Sequence, residues 1–282
     1  MKYFLIISMA FIPFISAAQR LHADLYGGVA NYQGDLQGKV FTFDKAGASG
    51  GVGLSYDLTH KLIIRASGNF AKVQGNDKYN TTGKGVEIRN LNFKTNIVEG
   101  QVALEYNLLD LSVRSFTPYV FAGVAAYHFN PYTFDDIGNK TYLQPLSTEG
   151  QDLSQYPDKK KYKLTQLAIP FGGGLKLALS ENLQMGFEFG FRKLFTDYLD
   201  DVSMNYADSS VLASARGPQS VALAYRGDEL PGGAVYPAGG SQRGNPKMKD
   251  WYYITGIRLS YLLGTRQRGG NKTKTGCPVN IY

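Results

Sequence analysis

Apolar and polar residues alternate along eight stretches of this chain. In one of them Phe187 and Phe189 flank Glu188, and the alternation continues through Phe191 to Arg192. A period of two places successive side chains on opposite faces of a β-strand. The pattern predicts strands over residues 21–32, 46–57, 61–74, 92–107, 116–130, 162–179, 183–198 and 250–263.

The connections between these strands are alternately long and short. The short ones span 58–60, 108–115 and 180–182, and the long ones span 33–45, 75–91, 131–161 and 199–249. Outer-membrane barrels have short periplasmic turns and long external loops, whereas loops of this length are uncommon in a compact soluble domain. The sequence therefore predicts an all-β fold, an eight-stranded antiparallel transmembrane β-barrel over residues 19–263. We expect it in the outer membrane of a Gram-negative bacterium, with both termini periplasmic.

The inward face of the predicted strands carries charges. Arg65 is expected beside Glu99 or Glu105 on the next strand, and Arg258 beside Glu188. Eight strands enclose a lumen about wide enough for side chains to fill, and charges there must pair or stay hydrated. We predict a plugged interior without a wide pore; a proton or ion path is the alternative interpretation. The predicted lumen ion pairs involve Arg65, Glu99, Glu105, Glu188, Arg192 and Arg258.

Residues 1–18 have the pattern of a secretory signal peptide. Lys2 precedes an apolar run over residues 4–15, and small residues at 16–18 form a cleavage site before Gln19. The apolar segment is shorter than the roughly 20 residues that span a bilayer as a helix. We therefore expect the chain to be exported.

Composition and charge add a second region to this picture. The 33 Gly, 20 Tyr and 16 Phe residues among 282 fit an all-β chain with aromatic girdles. The net charge is +7, and part of it lies in a basic tail predicted over residues 264–282. We expect the tail to be periplasmic, to order on binding and to attract an acidic partner; nucleic acid is not expected for an exported chain without a binding motif. The basic residues of the tail are Arg266, Arg268, Lys272 and Lys274.

The tail also holds Cys277, the one cysteine of the sequence. A lone thiol in an oxidising compartment cannot form an intramolecular bridge. It indicates either an intermolecular disulfide or a free thiol, and the residues alone leave both open.

A catalytic interpretation rests on His128, near the external end of the fifth predicted strand. Ser147 or Ser154 in the following loop would have to approach it to form a lipid hydrolase. The sequence holds no GxSxG elbow. We interpret His128 as a hydrogen-bonded rim residue and predict no enzyme activity and no small-molecule substrate.

An acidic run, Asp197, Asp200 and Asp201, offers clustered oxygens of the kind that Ca²⁺ prefers. The run lacks the ligand order of a known calcium loop. We therefore interpret it as a solvated loop start and predict neither metal nor cofactor.

Two segments resemble a known family. Tyr26–Leu36 (YGGVANYQGDL) resembles the opening strand of a group of Bacteroidetes outer-membrane barrels, and Phe195–Ser203 (FTDYLDDVS) resembles the segment that opens their longest loop. Strand number, loop order and the trailing Cys277 also agree. The family is PorG, a component of the type IX secretion system, and the resemblance covers essentially the whole chain after the signal peptide.

This resemblance implies a structural role. Similar proteins are non-enzymatic barrels that associate with a periplasmic ring built from the lipoprotein PorK and its partner PorN. They serve protein secretion and, in some relatives, gliding motility. The resemblance further implies that Cys277 links to the ring lipoprotein. The alternatives are a small OmpW-like channel or ligand-binding barrel and, less favoured, a lipid-modifying barrel enzyme.

Overall fold

The computed structural model describes residues 20–38, 45–79 and 87–264. Most of these residues form strands, with short helices in the connections. In chain order the elements are β1 (Leu21–Gln33), β2 (Gly47–Asp57), β3 (Leu62–Asn76), β4 (Asn92–Asn107), β5 (Phe116–His128), β6 (Tyr132–Phe134), β7 (Lys140–Tyr142), β8 (Thr165–Ala178), β9 (Leu183–Leu194), α1 (Ser209–Arg216), α2 (Pro218–Ala224) and β10 (Trp251–Leu262). Single 3-10 turns lie at Asp77–Tyr79, Glu87–Arg89, Gln144–Leu146 and Gly227–Glu229.

The eight long strands of the described residues close into a barrel. Consecutive long strands pair antiparallel, and the circle is completed where β1 pairs with β10 through Gly28 opposite Gly256. The predicted eight-stranded antiparallel barrel is confirmed. The largest difference in bounds is at β9, which ends at Leu194 and not at residue 198, because the chain turns there into the external loops.

The outward face of the barrel is apolar. Alternate residues of the strands are exposed and hydrophobic, with Val52, Val124 and Leu167 64–66 % exposed. A continuous belt of this kind would be unfavourable in water and is the lipid-facing surface of a transmembrane barrel. The buried positions of Arg65 on β3 and of Glu99 and Glu105 on β4 agree with the predicted inward face.

Glycines make room for large side chains in the lumen. A Cβ on Gly174 would lie 2.8 Å from the Tyr119 ring, and one on Gly190 would lie 2.9 Å from the Phe121 ring. Tyr119 and Phe121 can fill the interior only because these opposing positions have no side chain. Close packing in a narrow barrel therefore accounts for glycine at these positions of β8 and β9.

The two ends of the barrel differ. The turns at 58–61, 108–115 and 179–182 lie at one end, where the Leu263 N–H donates to the Leu21 carbonyl at 2.8 Å. The chain therefore leaves the last strand at the end with the short turns. The predicted signal peptide over 1–18 and residues 265–282 of the predicted tail lie outside the described residues.

The long loops at the other end fold into a cap. The hairpin β6–β7 extends the sheet beside β4, and α1 and α2 pack with Leu153 and Ala207 in a small core of their own. Asp208 caps α1 by accepting from the Ser210 and Val211 N–H groups at 2.9 and 3.2 Å. The sequence predicted no regular structure here. None of the helices in the described part of the chain has the length and apolarity to cross a membrane.

Candidate functional site

Charged side chains fill the middle of the lumen. Arg65 donates to both carboxylate oxygens of Glu188, at 2.6 and 3.1 Å, and lies 3.3 Å from Glu105. Glu105 also accepts from Lys176 and Arg258, so that one carboxylate meets three cations. All five side chains are at most 8 % exposed. The network joins β3, β4, β8, β9 and β10, and it fastens opposite walls of the barrel to one another.

A second ion pair lies on the same inward face. The Arg192 Nε and Nη2 atoms each lie 3.2 Å from a carboxylate oxygen of Glu99. The same carboxylate accepts from Asn69 at 2.9 Å and from the Tyr252 hydroxyl. Its oxygens are thereby satisfied without water, as a buried charge requires.

Aromatic rings close the remaining space. The Arg65 guanidinium lies 3.9 Å from the centre of the Phe121 ring, and the Tyr119 hydroxyl donates to Glu188 at 3.0 Å. The cavity bordered by Tyr26, Arg65 and Arg258 has a volume of about 30 Å³, which is room for a water molecule or two. Around Arg65 and Arg258 the lumen is therefore a packed interior.

The structure places all six sequence-predicted lumen residues on the inward face, but it arranges them differently. Of the two partners predicted for Arg65, Glu105 is the one that it contacts. The other, Glu99, is hydrogen-bonded to Arg192. Arg258 lies 3.7 Å from Glu188, and its bond to Glu105 is the shorter contact. Sequence reasoning missed Lys176 as an ion-pair partner. Its inward position on β8 was the available signal.

The external cap holds a second buried polar cluster, centred on the FTDYLDDVS segment. The Tyr32 hydroxyl lies against Asp200 and 3.3 Å from Asp250, which also accepts from the Leu199 N–H at 2.8 Å. Asp197, Asp200 and Asp201 are 1–2 % exposed. The interpretation of this run as a solvated loop start is therefore wrong, because the other loops fold over it.

Glu149 organises the neighbouring part of the cap. Its carboxylate accepts from the Ser203 N–H at 2.8 Å, from the Tyr198 hydroxyl at 3.0 Å and from Arg243 at 3.0 Å. Arg243 also lies 3.8 Å from Asp201. These bonds tie the loop after β7 to both ends of the loop between β9 and β10.

Arg89 fastens two further loops to the cap. It donates to the Asp77 carboxylate at 2.6 and 3.0 Å and to the Asp35 carbonyl at 3.1 Å, and it bonds to the Arg243 carbonyl. Since Asp35 follows β1 and Asp77 follows β3, the long connections meet at this one guanidinium. The cap is a single bonded unit.

Burial shifts the acid equilibria of the cap carboxylates. Desolvation raises the pKa of Asp197 to about 7, and it raises the pKa of Asp201 to about 6 against the attraction of Arg243. Burial and repulsion from Asp35 hold the pKa of Asp200 well above the usual range, and burial and repulsion from Asp200 do the same for Asp250. In the described residues no group of three or more His, Cys, Asp or Glu side chains is arranged to hold a metal ion. The cap therefore gives the calcium interpretation no support.

His128 lies apart from the two serines that the catalytic interpretation requires. His128 faces outward, with Nδ1 2.9 Å from the Thr165 hydroxyl, while Ser147 is buried in the cap and Ser154 bonds to Gln155. Neither serine is a hydrogen-bond partner of His128 among the described residues. The structure therefore does not place His128 and a serine as the lipid hydrolase interpretation requires.

The predicted partner-binding residues of the tail have no described positions. Cys277, Arg266, Arg268, Lys272 and Lys274 all lie outside the described residues. What the structure gives is their point of departure, at the end of the barrel with the short turns.

Comparison with known proteins gives one family and several similar folds. A family model described as a domain of unknown function, DUF6089, matches residues 1–214. No curated protein matches the chain.

Three solved structures illustrate the similarity in fold. Neisserial surface protein A is 8 % identical, with a TM-score of 0.40, over 86 % of this chain and 96 % of that one. The outer membrane protein OprG from Pseudomonas aeruginosa is 11 % identical, with a TM-score of 0.38, over 88 % and 99 %. A major outer membrane protein from Thermus thermophilus is 15 % identical, with a TM-score of 0.38, over 86 % and 98 %. Similarity at this level carries no argument about what the chain binds.

Proposed function

This chain belongs to the DUF6089 family, and we propose that it is a non-enzymatic component of the outer membrane of a Bacteroidetes bacterium. In this proposal the barrel anchors the periplasmic PorK/PorN ring of the type IX secretion machinery, and its tail, residues 264–282, makes the contact. Both termini lie in the periplasm. The role extends to gliding motility where the same machinery drives it.

The observation that carries the proposal is the filled lumen. Glu105 and Glu188 are bonded to cations from several strands, and about 30 Å³ of space remains beside them. Such an interior favours a rigid anchor over a small channel. The PorG-like Phe195–Ser203 segment supports the same assignment, because it forms the centre of the bonded cap.

The position of the tail supports the direction of the contact. The chain leaves β10 beside the start of β1, at the end with the short turns, which faces the periplasm in outer-membrane barrels. Four basic residues would attract an acidic surface. A disulfide from Cys277 to the ring lipoprotein would make the contact persistent.

A pull-down from solubilised outer membranes tests the proposal. The complete chain should recover the ring proteins, and a variant lacking residues 264–282 should insert normally and lose both the ring and secretion. Recovery of the ring by the truncated variant, or normal secretion, would contradict the proposed docking.

Two further variants separate the charges of the tail from its thiol. Cys277→Ser should abolish a high-mass band on non-reducing gels and retain reversible ring binding. Arg266→Gln combined with Arg268→Gln, Lys272→Gln and Lys274→Gln should weaken binding in a salt-dependent manner. A large steady conductance of the purified barrel in planar bilayers would favour the channel alternative instead.

A further inference from the structure

A group of basic and aromatic side chains lies on the outside of the barrel, where β4 meets the β6–β7 hairpin. Lys94 on β4 pairs with Tyr132, Tyr132 pairs with Tyr142, and Phe134 pairs with Lys140. Residues paired across antiparallel strands share a face of the sheet, and Lys94 has the outward parity of β4. The five side chains therefore lie on the same outer face, where Tyr132, 6 % exposed, is covered by Phe134, Tyr142 and Lys140.

Lys72 on β3 extends this group. It pairs with Asn96, and Lys94 pairs with Gln74, so that Lys72 and Lys94 are diagonal neighbours on the outward face. Diagonal neighbours of this kind lie about 7–8 Å apart. We call the six residues the basic–aromatic patch: Lys72, Lys94, Lys140, Tyr132, Phe134 and Tyr142.

Two of the three ammonium groups of the patch, those of Lys94 and Lys140, have aromatic neighbours, and none of the three has a carboxylate partner among the described residues. Lys94 Nζ lies 5.3 Å from the centre of the Phe134 ring, and Lys140 Nζ lies 4.0 Å from that of Tyr132 and 3.1 Å from the Tyr142 hydroxyl. Among the described residues, none of the three lysines forms an ion pair. Cation–π contacts orient an ammonium group without neutralising it, so the positive charge of the patch is available to a ligand.

The patch lies at the external edge of the lipid-facing belt. Phe70 and Val98 are outward apolar residues of β3 and β4, 46 % and 60 % exposed. Lys72 follows Phe70 by two positions, and Lys94 precedes Val98 by four. With a strand rise near 3.4 Å per residue and the usual tilt, Lys94 lies about 10 Å above Val98. This is the level of the lipid headgroups, where aromatic rings and lysines are enriched.

We propose that the basic–aromatic patch binds the phosphate groups of an anionic glycolipid in the outer leaflet. The inference rests on the outer-membrane orientation given under Proposed function and adds a ligand to the external side. Lysine acts as a point charge for phosphate, and its long stem lets the ammonium reach headgroup level along the apolar surface. Phe134 and Tyr142, 40 % and 42 % exposed, hold the hairpin against the same lipid.

Lipid titration of the refolded chain tests the proposal. The chain is placed in phosphatidylcholine nanodiscs with increasing bisphosphorylated lipid A, and retained lipid A is counted by native mass spectrometry. The variant Lys72→Gln/Lys94→Gln/Lys140→Gln should bind about 100-fold more weakly, because each basic residue near an anionic surface contributes roughly fivefold. The variant Lys72→Arg/Lys94→Arg/Lys140→Arg should bind lipid A within about threefold of the parent chain, since it keeps the three positive charges.

The matched control removes the same charge elsewhere on the external side. Lys160→Gln/Lys193→Gln/Lys247→Gln changes two lysines of the loops and one outward lysine of β9, and it should alter binding by less than about threefold. Heat-dependent gel mobility shows in each case that the barrel is folded. An equal loss in this control would mean that net charge, and not the patch, holds the lipid, and would overturn the proposal.

Two ligand arms identify what is bound. Dephosphorylated lipid A that binds as well as lipid A would overturn phosphate recognition, and inorganic phosphate that binds the detergent-solubilised chain as tightly would overturn the lipid assignment. The variant Lys72→Gln/Lys94→Gln/Lys140→Gln should still recover the ring proteins. Deletion of residues 264–282 should leave lipid A binding unchanged. Failure of this inference is thereby distinguishable from failure of the proposed function.

Discussion

The lumen and the external cap both bury carboxylates, but they stabilise them in different ways. In the lumen Glu105 and Glu188 bond to arginine and lysine side chains from other strands. In the cap Asp200 and Asp250 are both buried, and both lie at the neutral hydroxyl of Tyr32. The lumen balances charge with charge, whereas burial of Asp200 and Asp250 in the cap favours the protonated forms of these two carboxyl groups.

This difference indicates which part of the molecule responds to its surroundings. Ion pairs that are fully enclosed are insensitive to salt and to moderate changes of pH. Carboxyl groups with raised pKa values change charge close to neutrality. We therefore expect the stability of the barrel to change little with salt and pH, and the stability of the cap to depend on pH.

The largest effect is expected for Glu105→Ala. This change leaves Arg65, Lys176 and Arg258 without their shared carboxylate, and uncompensated buried charge costs about 3–5 kcal/mol. Urea unfolding in detergent measures the loss. Leu104→Ala on the lipid-facing side of the same strand is the control and should cost far less. A change below about 1 kcal/mol for Glu105→Ala would show that the lumen network is not what holds the walls together.

A smaller and local effect is expected for Glu149→Gln. The amide keeps the shape of the side chain and loses the charge that Arg243 and the Ser203 N–H group meet, which should weaken the cap by about 2–4 kcal/mol. Limited proteolysis should cut the external loops faster while the barrel remains folded.

The control for Glu149→Gln is Glu229→Gln, whose pair with Arg226 is partly exposed and contributes about 1 kcal/mol or less. If Glu149→Gln unfolded the barrel together with the cap, the two regions would not be separate units.

The pH dependence of the cap follows from Asp197. Its pKa is about 7 in the folded chain and about 3.9 when unfolded. The folded form binds the proton more tightly, so this contribution to stability is complete below about pH 4 and is lost as the pH rises through 7. Urea-induced loss of the near-ultraviolet circular dichroism, followed from about pH 5 to about pH 8.5, should show a cap that weakens with rising pH.

Asp197→Asn should reduce the slope of that pH profile, because it removes one of the cap carboxyl groups with a raised pKa. Asp208→Asn is the matched control, because Asp208 is exposed at the N-terminus of α1 and hydrogen bonds from Ser210 hold its pKa below the usual value. A profile that keeps its slope in Asp197→Asn would assign the pH response to other cap carboxylates.

The smallest effect is expected for His128→Ala. His128 is exposed on the outer wall with Thr165 as its partner, so stability should change by less than about 0.5 kcal/mol. Lipid mass spectra of cells with the variant should match those of the parent. A change in the lipid composition of these cells would instead support the alternative of a lipid-modifying barrel enzyme.

Strand positions could be predicted because their signals are local. The alternation around Glu188 and the turn at 180–182 specify both the face and the start of β9 without reference to the rest of the chain. The contacts across the lumen could not be predicted in this way. Arg65 meets Glu188 because barrel closure brings β3 opposite β9, and closure depends on a register that alternation does not encode.

The cap shows the same limit more strongly. Asp197 and Asp200 follow a strand in a polar segment, which by itself predicts a hydrated turn. Their burial depends on Tyr32 and Asp250, which lie far away in the sequence and arrive only when all the loops converge. The local sequence pointed to this segment only through its resemblance to a family. The burial of the segment depends on long-range packing, which the local sequence does not encode.

The pairing of β1 with β10 has a consequence for how the molecule is made. Until residues 251–262 have been synthesised and exported, β1 has no hydrogen-bonded neighbour on one side. The unpaired backbone amides and carbonyls of such an edge strand are unfavourable in the hydrocarbon of a membrane. The other seven long strands are therefore expected to stay out of the hydrocarbon until residues 195–250 and the closing strand β10 have followed. Membrane entry is thus coupled to the presence of β10, so products that end before residue 251 remain outside the bilayer.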